Sequence, residues 1–98
     1  MDKFVIAVGG SIISPNGIDT AFLKKFISYL KKQVRLKKKF VLVIGGGDLA
    51  RKYQKAAVSL GVRSQRERDL IGIASTKLNA EFIKIIFGEI ANPILFGL

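Results

Sequence analysis

The chain has 98 residues, 49% of them hydrophobic, and carries 17 lysines and arginines against 7 acids for a net charge of +10. That length allows one small domain over residues 1–98, and that apolar content supplies a core, so a disordered chain is excluded. Cysteine and histidine are both absent, which excludes a disulfide framework, thiol chemistry, histidine-based triads and histidine-ligated zinc.

No run approaches the roughly 18 to 20 apolar residues that span a bilayer. The segment MDKFVIAVGG (1–10) is too short and too glycine-rich for a signal peptide. The chain therefore reads as cytoplasmic, with no membrane partner. KFVIAV (3–8) is apolar without alternation and stops at Gly9-Gly10, as a buried strand does. Pro15, Asn16 and Gly17 form a turn cluster, after which Asp19 or Thr20 caps a helix. Phe22, Leu23, Phe26, Ile27, Leu30 and Val34 keep one face of that helix. FVLVI (40–44) is a second buried strand. Asp48 is placed to cap a second helix with Leu49, Tyr53, Ala56, Ala57 and Leu60 inward and Gly61 as its stop. VRSQRERD (62–69) reads as a polar connection into a third helix over about 69–87. Its expected buried stripe is Leu70, Ile71, Ala74, Leu78, Ile85 and Ile86, and Gly88 ends it. A third strand begins just after Pro93.

The order β-α-β-α-α-β predicts a parallel sheet with helices packed on it, the first part of a larger α/β domain. Eight basic residues (Lys24, Lys25, Lys31, Lys32, Arg35, Lys37, Lys38 and Lys39) fall within sixteen positions that hold no acid. Such a block suits nucleic acid, an anionic surface or phosphorylated small molecules. The lysines fall between apolar positions, however, and no aromatic residue is expected to interleave with them as a base-stacking platform requires. A solvated helix face is the plainer reading.

Both of the first two strands run into glycine, V-G-G-S (8–11) and I-G-G-G-D (44–48). In a parallel sheet, ligands bind outside the carboxyl ends of the strands. Glycine lets backbone N–H groups approach an anion, and the helix start adds partial positive charge. Ser11 offers a hydroxyl, and Arg51 a planar fork suited to phosphate. A P-loop is ruled out, because no Gly-Lys pair occurs. Gly45, Gly47 and Ala50 satisfy a dinucleotide fingerprint, but that motif wants an acid ending the next strand, and Asp69 is expected to start a helix instead.

Together V-G-G-S-I-I (8–13), V-I-G-G-G-D-L-A-R-K-Y (43–53) and D-L-I-G-I-A-S-T-K-L-N-A (69–80) resemble the amino acid kinase superfamily, and within it the archaeal-type UMP kinases. The resemblance implies a three-layer αβα sandwich around a parallel sheet, of which this chain would be the N-terminal, phosphate-acceptor portion and so incomplete. It implies transfer of the ATP γ-phosphoryl group to UMP, giving UDP, with Mg²⁺ carried by the nucleotide. By motif, Gly10, Ser11, Gly47 and Arg51 would contact ATP, while Gly46 and Asp69 would contact UMP, Asp69 through the ribose hydroxyls. Many members carry a lysine just before the first glycine turn. This chain has Ala7 there and only Lys3 nearby, a change that archaeal-type UMP kinases share. The family domain is more than twice this long. A homo-oligomer or a complementary C-terminal half is therefore expected as a partner, and the isolated chain is expected to transfer phosphate poorly. Glutamate, aspartate or carbamate as acceptor stays open at superfamily level. The alternative function is a catalytically inactive basic module that binds anions or nucleic acid through helix 20–39.

Overall fold

The computed structural model describes residues 3–9, 17–91 and 94–97. Its order is β1 (Lys3–Val8), α1 (Thr20–Arg35), β2 (Lys39–Ile44), α2 (Gly47–Ser59), α3 (Gln65–Phe87), a 3₁₀ turn (Gly88–Ala91) and β3 (Ile94–Gly97). This is the order that the hydrophobic periodicity predicts. The three strands form one parallel sheet in the order β1-β2-β3. Phe4, Ile6 and Val8 pair with Phe40, Leu42 and Ile44, so these six side chains share one face.

That face carries the core. Phe40, Leu42 and Ile44 meet Leu23 and Leu30 of α1 and Ile83 and Phe87 of α3, all buried. Phe26 of α1 sets its ring edge-on to Phe87, 6.5 Å between centroids. Full burial of side chains of this size contributes roughly 1.5–3 kcal/mol each, enough to hold α1 and α3 on the sheet. The opposite face is different. Val5 is 71% exposed, Ala7 is exposed, and Val41 and Val43 are half-buried. Within the described residues, helices cover one side of the sheet.

The apolar stripe expected on α1 is the one that packs: Leu23 and Leu30 are buried, and Phe22, Phe26, Ile27 and Val34 lie against the core. Asp19 caps the helix, its carboxylate accepting from the Phe22 N–H at 2.9 Å. Gly61 (φ 101°) ends α2 and Gly88 (φ 59°) ends α3, both in the left-handed region glycine favours.

The expected faces of α2 and α3 need correction. On α2, Ala57 is buried as expected, together with Ala50, while Tyr53, Ala56 and Leu60 are exposed. On α3 the inward stripe is Ser75, Asn79, Ile83 and Phe87, whereas Leu70, Leu78 and Ile85 are exposed. The reason is close approach. A Cβ on Gly46, the N-cap of α2, would lie 2.8 Å from the Ala50 Cβ and 3.4 Å from the Gly72 carbonyl of α3, so the two helices meet there through small residues. Bulky residues are pushed to the flanks, so a ranking by hydrophobicity picks the wrong side. The third helix also starts four residues before the expected position. Ser64 is its N-cap, accepting from the Glu67 N–H at 3.3 Å, and S-Q-R-E supplies the serine and glutamate spacing of a capping box. Asp69 therefore sits in the second turn and caps nothing.

Candidate functional site

β1 and β2 end side by side, Val8 paired with Ile44, and the Gly45 N–H donates to the Val8 carbonyl at 3.3 Å. Gly9 and Gly45 thus leave the sheet side by side. Between the strand ends, the first turn of α2 and the first half of α3 lies an open cavity of about 690 Å³, within the roughly 300–1,000 Å³ typical of small-ligand sites. Gly9, Gly46, Gly47, Arg51, Asp69 and Thr76 are among the residues lining it. Four of the six expected contact residues (Gly46, Gly47, Arg51 and Asp69) are thereby brought to one place. The other two, Gly10 and Ser11, lie outside the described residues. Ala7, just before the first glycine turn, also lines the cavity.

The glycines answer to separate demands. Gly47 has φ 54°, where a side chain is strained by about 1–2 kcal/mol. Gly46 has an ordinary helical conformation but no room: a Cβ there would lie 2.8 Å from the Ala50 Cβ and 3.2 Å from the Thr76 hydroxyl. Asn79 fixes the turn from behind. This side chain, 3% exposed, donates its amide to the carbonyls of Gly45 at 2.9 Å and Gly46 at 3.4 Å. Both neighbours are acceptors, so the nitrogen must face them. In a trans peptide C=O and N–H point opposite ways, so this anchoring turns the Gly46 and Gly47 N–H groups away from Asn79. The first N–H groups of α2 also have no partner within the helix.

Asp48 does not cap α2, because Gly46 occupies the N-cap position and the helix begins at Gly47. The Asp48 carboxylate lies in the first turn, where the helix dipole favours it, and forms an ion pair with the Arg51 guanidinium. Arg51 is thus tethered at the cavity wall. Asp69, exposed at the rim, accepts from the Gln65 side-chain amide at 2.8 Å. The dinucleotide fingerprint fails its spatial test, since Asp69 lies inside α3 and the next strand after β2 is β3.

Sequence reasoning missed Gln54, Gly72, Thr76 and Asn79. Gln54 joins α2 to α3 by donating to the Arg68 carbonyl at 2.9 Å. Gly72, Thr76 and Asn79 recur at i, i+4 and i+7 inside the third motif. That spacing places small and polar residues on one helix face, a legible sign that the face meets backbone instead of an apolar core.

A parallel sheet whose strand ends open onto a glycine-lined cavity at a helix start is the α/β architecture, with its cavity at the edge where such sheets commonly take ligands. The chain is a member of the amino acid kinase family, whose model matches residues 2–96. It is similar to the uridylate kinase of Methanoculleus marisnigri, 38% identical over 93 residues, a match covering 95% of this chain and 38% of that protein. The uridylate kinase of Thermococcus onnurineus is 34% identical over 93 residues, with 95% of this chain and 40% of the relative covered. The crystal structure of uridylate kinase from Archaeoglobus fulgidus superposes with a TM-score of 0.71 at 28% identity, covering 98% of this chain and 50% of that one. The chain therefore spans about two-fifths of the length of these curated relatives. Among the described residues no helix is long and apolar enough to cross a membrane.

Proposed function

We propose that residues 1–98 are the phosphate-acceptor portion of a nucleoside monophosphate kinase that passes the ATP γ-phosphoryl group to UMP, yielding UDP, in the cytoplasm. The observation that carries this reading is the convergence of Gly46, Gly47, Arg51 and Asp69 on one cavity, together with similarity to archaeal uridylate kinases. In this reading the Gly46 N–H holds the UMP phosphate, and the Gly47 N–H meets the transferring phosphoryl group. Arg51 lies on the ATP side with Gly10 and Ser11. Asp69 accepts hydrogen bonds from the UMP ribose hydroxyls. Magnesium arrives with ATP as part of the substrate.

The chemistry asks little else of the protein. Phosphoryl transfer is catalysed mainly by holding donor and acceptor in line and by neutralising developing charge with backbone donors and cations. Asn79 acts as a positioning residue, since it fixes the peptide planes that present those N–H groups. The donor side is supplied by a complementary C-terminal portion, with self-association of the chain as the other expected partnership.

Calorimetric titration of the chain with UMP tests the acceptor assignment. Saturable binding is expected, weakened about tenfold or more by Asp69→Asn, the range of a charge-assisted hydrogen bond. A folded chain that binds no UMP would overturn the reading.

A further inference from the structure

The lysine-rich helix is not the plain solvated face that its sequence suggests, because Tyr29 interleaves with its cations. Tyr29 is 57% exposed, four residues after Lys25 and three before Lys32, and so shares their side of α1. The apolar stripe of α1 lies in the core, which leaves this ring on the outer surface. Tyr29 also lines a cleft of about 230 Å³ at the β1 edge of the sheet, together with Phe4, Val5, Gln33, Lys38 and Phe40. Phe4 is 41% exposed and is backed by Phe40, with 5.6 Å between ring centroids. Lys38 is held in place twice, by donating to the Gln33 side chain at 2.8 Å and by sitting 5.8 Å from the Phe4 ring centroid. Among the described residues the ion pair of Asp48 with Arg51 lies elsewhere.

We infer that this cleft and the lysines beside it bind single-stranded nucleic acid. Exposed rings set in a cationic surface offer a base something to stack on while the lysines neutralise the flanking phosphates, a combination that tolerates any sequence. A duplex would present phosphates but hide its base faces. An anionic bilayer would meet the charge but no continuous apolar helix face, because Leu23 and Leu30 of α1 are buried in the core. The cleft is separate from the glycine-lined cavity, so the inference stands independently of the kinase reading.

Fluorescence anisotropy with a labelled oligothymidylate, measured over a series of salt concentrations, tests it. We expect saturable binding whose logarithmic salt slope is about −0.7 per phosphate neutralised. Tyr29→Ala should weaken binding about tenfold with the slope unchanged, while Tyr29→Phe, which keeps the ring, should bind as the parent does. Lys25→Gln with Lys32→Gln should instead flatten the slope by about 1.4. UMP binding serves as the control that the variants remain folded, or circular dichroism if UMP does not bind. Equal affinity for the annealed duplex, indifference to Tyr29→Ala, or binding only to phosphatidylserine vesicles would each overturn the inference.

Discussion

Gly46 and Gly72 are both tight, yet substituting them should have different consequences. At Gly46 an added methyl meets the Ala50 Cβ at 2.8 Å and, near the contact limit, the Gly72 carbonyl at 3.4 Å. These atoms belong to helices and cannot swing away, so Gly46→Ala should cost about 1–3 kcal/mol. At Gly72 the obstacle is the Gln54 amide at 3.0 Å, the end of a flexible side chain. Its displacement loses about 1 kcal/mol of hydrogen bonding, roughly what alanine gains over glycine inside a helix. Urea denaturation should therefore find Gly72→Ala within about 1 kcal/mol of the parent and Gly46→Ala clearly below it. Asn79 is a third case. Asn79→Ala strips the Gly45 carbonyl of its side-chain donor and should cost about 1–3 kcal/mol. Asn79→Asp should do no better, because it sets a carboxylate against carbonyl oxygens. A loss of UMP affinity in Asn79→Ala beyond what its stability change explains would mark the positioning role.

Helix by helix, the deciding feature is which face meets the sheet. Leu30 is fully buried, while Leu60 is 85% exposed because it is the C-cap of α2. Leu30→Ala should cost about 2–5 kcal/mol, and Leu60→Ala should stay within about 0.5 kcal/mol. Thermal melts of the pair would check the corrected face of α2 directly. Ser64→Ala should cost about 1 kcal/mol through loss of the cap. The positions of the first strand and the first helix and the helix stops were legible because apolar runs and terminal glycines leave little choice. The burial expected of the first strand fails, however: β1 is an edge strand, with Phe4, Val5 and Ala7 exposed and only Val8 buried. The inward faces of α2 and α3 were not. Both helices have apolar residues nearly all round, and only the partner's surface decides which of them are covered.

For the whole molecule, surface area is informative. The accessible surface is 6662 Å², against about 5,500 Å² for a compact monomer of this mass. The radius of gyration is 15.1 Å, against about 13 Å for a compact domain of this length. Part of that surface is the face of the sheet opposite the core, where Val5 is exposed and Val41 and Val43 are half-buried. Parallel sheets are ordinarily covered on both sides. We expect sedimentation velocity to show concentration-dependent association, and Val5→Lys to weaken it. A chain that stays monomeric at every concentration would mean that this face tolerates water.

From the sequence alone came the element order, the parallel sheet, the paired glycine turns and four residues that meet in one cavity. The first three depend on local matters (apolar run length, glycine conformational freedom and the placement of turns at strand ends), and the four residues on the resemblance of three motifs to a known family. Tertiary structure alone decided that Asn79 holds the glycine turn, that Gln54 joins α2 to α3 and that Tyr29 shares a cleft with Phe4 and Lys38. Each of these depends on which face of a helix meets which neighbour. That is set by the closest approach of two backbones, a distance between residues far apart in the chain that no local pattern encodes.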